Sequence, residues 1–234
     1  MRFIFHRTTL RLTCLSFLLI ALAPATALAA CNNGPGPNVD WSRCQKMRLI
    51  LRGADLRGAN MVRVDLSSSD LMDANLEGAN LTSADITKTR FRKANLRAAN
   101  LTKVFGGRVN FEESDLVGAI LVKVELPRAN FNRANLTNAD LSKADLIRAA
   151  LIGAQLQGAN LRKALLARTD FTSAKLNGAD LTGAYTLFAW FSGADLSGTV
   201  GLTQEQLDDA CGDDDTVLPA GLQKPASWPC ATAE

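Results

Sequence analysis

Residues 49–68 read LILRG ADLRG ANMVR VDLSS, and this five-residue pattern continues without insertion or deletion to residue 198. The stretch contains 150 residues and therefore thirty units. The third residue of a unit, here called the central residue, is Leu in 21 units and Phe in five. The first residue is Ala in 21 units, and the residue between them is mostly Asp or Asn. This stretch determines the fold of the chain.

A period of five matches neither an α-helix nor a simple strand, whose apolar residues recur at three to four and at two residues. A short fixed repeat instead predicts a solenoid, in which each unit buries its apolar side against its neighbours. A second period of twenty is visible in the Phe residues at positions 91, 111, 131, 171 and 191. We therefore expect four units per coil, with the first and central residues buried and the other three facing water.

Units such as 54–58 (ADLRG), 74–78 (ANLEG) and 179–183 (ADLTG) resemble the pentapeptide-repeat family. The resemblance implies an all-β solenoid, specifically a right-handed quadrilateral β-helix with four repeats per coil. At a strand spacing of about 4.8 Å, seven and a half coils would form a rod roughly 36 Å long. We expect a short C-terminal α-helical cap on this rod.

The first thirty residues are typical of a secretory signal peptide. Three arginines precede an apolar run from Leu12 to Leu22, which is followed by Pro24 and small residues to Ala30. Cleavage would remove the three arginines and leave 23 basic and 23 acidic residues, because the whole chain has 26 and 23. Net charge therefore indicates no nucleic-acid partner. We expect an exported protein, periplasmic or extracellular.

The end of this segment allows two modes of export. Residues 27–29 (ALA) form a site for an ordinary signal peptidase, whereas residues 28–31 (LAAC) also resemble a bacterial lipobox, which would place a lipid on Cys31 and anchor the protein to a membrane. The even number of cysteines after cleavage favours disulfides. We predict the local pairs Cys31 with Cys44 and Cys211 with Cys230. Separation by 150 residues of rod argues against a shared metal ion.

The segments on either side of the repeats are predicted to cover the ends of the rod. Residues 31–48 form an N-terminal lead-in, in which Trp41 can cover the first apolar layer. Residues 199–234 form a C-terminal cap with a short helix. Thr203 is its expected N-cap, Gln206 completes a capping box, and Gly212 is expected to end the helix.

Two units lack a large apolar central residue, namely those with Gly106 and Thr186. Phe105 and Tyr185 precede these residues and should lie on one side of the rod, four coils apart. The second irregular unit introduces a group of apolar residues in outward positions, consisting of Tyr185, Leu187, Phe188 and Trp190. Such a patch is either a surface for a protein partner or is covered by the C-terminal segment.

Basic residues form two groups in outward positions. They are Arg90, Arg92, Lys93 and Arg97 in the first group, and Arg128, Arg133, Lys143 and Arg148 in the second. Because both groups are interleaved with Asp and Asn and lack stacking aromatics, a solvated face is favoured over phosphate binding.

The sequence shows no set of residues suited to catalysis. Its only histidine is His6, in the predicted signal peptide, which excludes a nucleophile–histidine pair and the usual zinc or iron sites from the mature chain. We therefore predict a protein that is not an enzyme and has no metal or cofactor.

The favoured function is an exported scaffold or protein-interaction rod of the bacterial cell envelope, with anion or envelope-surface binding through basic rows as the alternative. The family resemblance also raises a DNA-mimic inhibitor of gyrase. Export disfavours that role, as does the net charge of +4 in residues 49–198, which have nineteen basic and fifteen acidic residues.

Overall fold

The computed structural model describes residues 31–230, so the predicted signal peptide and His6 lie outside the described residues. Single-residue parallel bridges join each unit to the unit twenty residues later, from Asp40–Asn60 to Asp180–Val200. One coil therefore contains four units, as predicted. Each unit forms one side, and the two residues after its central residue form a turn that we call a corner.

The backbone hydrogen bonds run along the rod axis and join successive coils. Leu51 N donates to Asp70 O over 2.7 Å, and Asp70 N donates to Leu49 O over 2.8 Å. Within a coil, Ala54 N donates to Leu51 O over 3.1 Å and closes the corner. Stacking thus satisfies the backbone groups that a single coil would leave unpaired.

The first and central residues of the units fill a continuous core, with the central Leu and Phe side chains almost completely buried. The rings of Phe91 and Phe111 stack with centroids 5.0 Å apart, and those of Phe111 and Phe131 are 4.8 Å apart. Phe171 and Phe191 stack at 5.4 Å. The predicted aromatic column is confirmed, and its spacing is that of the coils.

Both irregular units have a structural explanation in the neighbouring coil. A Cβ on Gly106 would lie 2.9 Å from the carbonyl carbon of Ile86, so the close approach of the two backbones excludes a side chain there. Thr186 is buried, and its Oγ1 donates to Gln206 O over 3.0 Å. A leucine at this position would leave that carbonyl without its bond.

The bridges extend beyond the thirty units at the N-terminal end. They begin at Asp40, and Trp41 occupies a central position with only 1 % of its surface exposed. Trp41 Nε1 donates to Asn33 O over 3.0 Å, which holds the lead-in across the end of the core. A disulfide joins Cys31 to Cys44, with the Cα atoms 5.4 Å apart.

After Val200 the chain forms helix α1, Gln204–Asp208, and then returns to the ladder. Thr203 is the N-cap, and its capping box with Gln206 is present as predicted. Gln206 Nε2 also donates to Ala184 O over 2.7 Å, and Leu207 is fully buried. The helix is thus fastened to the last full coil by polar and apolar contacts.

The prediction that Gly212 ends the helix is wrong, because α1 ends at Asp208 with Asp209 as its C-cap. Gly212 is instead required by packing, since a Cβ there would overlap the indole ring of Trp228. Trp228 Nε1 donates to Ala210 O over 2.9 Å. The nearby disulfide Cys211–Cys230 has its Cα atoms 5.5 Å apart and closes the tail onto the rod.

Candidate functional site

The apolar group predicted from the second irregular unit is only partly covered. Tyr185 and Phe188 remain 48 % and 51 % exposed, whereas Leu187 and Trp190 are partly buried. Phe188 lies at a corner and Tyr185 in the middle of a side, because of their positions in the unit. The structure therefore presents two large aromatic side chains to solvent on the last coils.

Leu165 belongs to the same surface and was missed in the sequence analysis. It is the ladder partner of Tyr185 and is 42 % exposed. Along the chain Leu165 stands alone, so only the period of twenty could have identified it. The bridges continue through Asp145 and Glu125 to Phe105, which places Phe105 and Tyr185 in one column, as predicted.

The C-terminal tail forms one wall of a depression beside this group. Cys211 pairs with Trp190 in the ladder, and these residues line a volume of about 440 Å³ together with Arg168 and Phe188. The Arg168 guanidinium lies 5.7 Å from the centroid of the Phe188 ring, within the range of a cation–π contact. We define the apolar surface as Leu165, Tyr185, Phe188 and Trp190.

The first predicted basic group is neutralised by ion pairs. Arg92 and Lys93 contact Glu113 at 3.2 and 3.6 Å. Arg97 contacts Asp115 at 3.0 Å, and Arg90 contacts Asp70 at 2.9 Å. This group therefore does not form an open cationic surface.

Asp70 is the buried centre of one of these clusters. Burial raises the pKa of its carboxyl, but hydrogen bonds from Arg52 and from Met72 N, with the charges of Arg90 and Arg52, bring it below its usual value. The carboxylate is thus held ionised by its two arginines, as expected for a structural ion pair.

The second predicted basic group does not form one cluster. Arg133 binds Glu112 and Glu113, whereas Arg128, Lys143 and Arg148 form no ion pair. Lys143 also lies at a different corner from Arg128 and Arg148, because its position in the coil differs by five residues. Proximity along the chain was a poor guide to this surface.

Within residues 31–230 there is no group of three or more potential metal ligands. The same part of the chain has no helix of sufficient length and apolar character to cross a bilayer.

A family profile described as "Pentapeptide repeats" matches in eight copies, over residues 50–87, 89–126, 121–151 and 149–185. The chain belongs to the pentapeptide-repeat family. Membership implies the right-handed quadrilateral β-helix expected from the sequence, and the twenty-residue coil agrees with it. Proteins of this family are generally structural or interaction proteins.

Among solved structures, HetL of the cyanobacterium Nostoc sp. strain PCC 7120 is 25 % identical. HetL is a pentapeptide-repeat protein involved in heterocyst differentiation regulation, and the match covers 84 % of this chain and 90 % of HetL with a TM-score of 0.43. The fluoroquinolone resistance protein QnrB1 is 17 % identical over 74 % of this chain and 91 % of QnrB1, with a TM-score of 0.38. No curated protein sequence matches. The family assignment rests on the repeats themselves.

Proposed function

We propose that this pentapeptide-repeat protein is an exported, non-enzymatic rod of the cell envelope that binds a protein partner. The observation that carries the proposal is the apolar surface, in which Leu165, Tyr185 and Phe188 are each more than two-fifths exposed on adjacent coils. Contiguous exposed apolar side chains are typical of interaction sites, and Tyr and Trp are common anchors there. Family membership supports an interaction role over a catalytic one.

The two disulfides support the exported location, because disulfides persist in oxidising compartments. The Cys31–Cys44 pair also favours the unlipidated form, since a sulfur atom in a disulfide cannot carry a lipid. We therefore favour the soluble periplasmic or extracellular protein over the membrane-anchored lipoprotein.

Intact mass analysis of the mature protein tests this mode of export. We expect an unmodified N-terminus at Ala30 or Cys31 in the fraction outside the cytoplasm, with all four cysteines oxidised. The measurement is made before and after reduction, so that both disulfides are counted. A diacylglycerol mass on Cys31 would establish the lipoprotein and would remove the first disulfide.

Substitution of the exposed aromatics tests the partner surface. We expect Tyr185→Ala with Phe188→Ala to abolish a crosslinked complex that the wild-type rod forms in intact cells. The melting temperature should change little, because about half of each side chain already faces solvent. A photoreactive residue in place of Leu165, which adjoins Tyr185, provides the readout and is present in both the parent rod and the double variant, so that the two differ only at Tyr185 and Phe188.

Phe105→Ala is the matched control, because Phe105 is 45 % exposed in the same column, four coils away. It should leave the complex intact. If the double variant instead lowers the melting temperature by several degrees, the aromatics belong to the structural cap and the proposed protein-binding surface should be abandoned. Equal loss of the crosslinked complex in Phe105→Ala would contradict the placement of the partner-binding surface on the last coils.

A further inference from the structure

Basic residues are concentrated at two of the four corners of the rod. The second residue of the corner is basic in most coils at two consecutive corners, and these positions align with a period of twenty. One corner carries what we call the arginine row, which consists of Arg48, Lys88, Arg108, Arg128, Arg148 and Arg168. The preceding corner carries the lysine row, which consists of Arg43, Arg63, Lys103, Lys123, Lys143 and Lys163. Each row follows the length of the rod.

None of these twelve cations forms an ion pair. Residues 31–230 contain 23 basic residues, because three of the 26 in the chain precede them. Of the other eleven (23 minus 12), nine are ion-paired. Within residues 31–230, Lys and Arg side chains are thus mostly ion-paired outside the two rows and unpaired within them.

The backbone at these positions is unfavourable for Lys and Arg. All twelve have φ between 56° and 60°, in the left-handed region where a Cβ costs about 1–2 kcal/mol. This conformation belongs to every corner of the rod, because Asp73, Ala98 and Glu113 at the other two corners also have φ between 51° and 58°. The rows are therefore distinguished by their charge and not by their backbone. The corner that includes Gly118 and Gly158 carries no charge at that position.

The surroundings of the rows leave the cations accessible. Lys88, Arg108 and Arg128 line a depression of about 380 Å³, in which Gly107 and Pro127 occupy the adjoining corner positions. A second depression of about 430 Å³ lies along the lysine row, where Arg43, Arg63 and Lys103 alternate with small apolar and hydroxyl residues. These residues are Val62, Thr82, Ser83 and Thr102.

The side between the two rows carries four acids, but three of them are turned toward their own backbone. Asp65, Asp85 and Asp145 each accept a hydrogen bond from the backbone N–H two residues later, at 2.8 to 3.0 Å. This side also carries Lys46, so the two rows with this side have a net charge of +9 (thirteen minus four). The rest of residues 31–230 has a net charge of −8, because 22 acids lie in this part of the chain and ten cations stand against eighteen acids. The near-neutral total conceals a strongly polarised surface.

We infer that the two rows bind an extended anionic polysaccharide. Each row presents six cations over seven coils, because Ser68 interrupts one row and Ser83 the other. At a coil repeat of about 4.8 Å, these charges face a linear polymer over roughly 30 Å. Arginine pairs with carboxylates in a bidentate manner, and the neighbouring threonines offer hydrogen bonds to sugar hydroxyls.

The rows flank the side that carries Leu165 and Tyr185, and Phe188 follows Arg168 in the column of the arginine row. The polysaccharide is therefore placed along the coils before the apolar surface, and the inference does not rest on the proposed protein partner.

The geometry favours this ligand over other polyanions. Single-stranded nucleic acid binding relies on a series of aromatic platforms for successive bases. The side between the rows carries Phe105 and Tyr185, four coils apart, and Phe188 follows Arg168 at the end of the arginine row. These separated aromatics do not form such a series. A DNA mimic requires the opposite sign of charge.

Binding of polygalacturonate oligomers of increasing length to the mature protein tests the inference. Affinity should rise with oligomer length and fall with salt, as expected when several charges are contacted together. Arg108→Gln with Arg128→Gln and Arg148→Gln should weaken binding about tenfold. The matched control is the triple Gln variant at Arg57, Arg97 and Arg162, which removes the same charge from ion-paired positions.

The control variant should bind polygalacturonate with an affinity within about twofold of wild type, because the arginines that it removes are neutralised by acidic partners in the wild-type protein. Circular dichroism should show both variants folded. Equal weakening in both variants would reduce the effect to net charge and overturn the inference. No binding of polygalacturonate, or tighter binding to single-stranded DNA or phosphatidylglycerol vesicles, would also overturn it.

Discussion

Phe111→Asp is expected to prevent folding of the central coils. Phe111 is fully buried between the rings of Phe91 and Phe131, and its neighbours along the coil are also buried. Loss of the ring alone costs about 3–5 kcal/mol, and an unpaired carboxylate in an apolar site adds several more. Because most domains are stable by only about 5–15 kcal/mol, the substitution should consume most of that stability.

Phe111→Leu is the control for this prediction, since Leu71 and Leu151 occupy the same column. It should cost only about 1–2 kcal/mol, because an apolar side chain still fills most of the site. Thermal unfolding followed by circular dichroism compares the two variants with wild type. An aspartate variant that melts within a few degrees of wild type would show that position 111 is not in the core.

Removal of the Cys211–Cys230 disulfide is expected to release the C-terminal segment while the rest of the rod stays folded. The loop between the cysteines spans 19 residues, for which the disulfide contributes about 3 kcal/mol. In a solenoid each coil contacts only its neighbours, so the loss of folded structure should remain confined to the C-terminal end. Hydrogen exchange should accelerate at Phe191 N and Leu196 N, which donate to Cys211 O and Val217 O over 2.6 and 2.8 Å.

The experiment uses Cys211→Ser with Cys230→Ser, and the equivalent pair at Cys31 and Cys44 serves as the comparison. The second variant should instead accelerate exchange at Asp65 N, which donates to Cys44 O over 2.9 Å at the opposite end. If either variant lowers protection uniformly along the chain, the rod unfolds as a single cooperative unit and the local picture is wrong.

The core could be predicted from sequence because it depends on two periods that are visible in one chain. The period of five separates inward from outward residues, and the Phe residues reveal the period of twenty. The roles of Gly106 and Gly212 could not be predicted, since each is set by contact with a distant segment. For Gly106 that segment is the backbone of Ile86, and for Gly212 it is the ring of Trp228.

The surface was harder to predict for a related reason. Arg90, Arg92 and Lys93 are close in sequence and were therefore grouped together, with a solvated face favoured, whereas the acids that neutralise them lie on other coils. The unpaired cations are twenty residues apart and form a row only when the coils are stacked. Leu165 was missed in the same way, because its neighbour Tyr185 is one coil later.

The spacing of the ladder also limits how this chain can change in length. Bridges join residues twenty apart up to Val200, but the last two, Trp190–Cys211 and Asp195–Val217, span 21 and 22 residues. Gain or loss of one complete coil within the regular part keeps every column in line, whereas a change of a single unit moves each later column to the next side. Beyond α1 the register is already broken, so the tail acts as a terminator, and growth of the rod by duplication is confined to the segment before it.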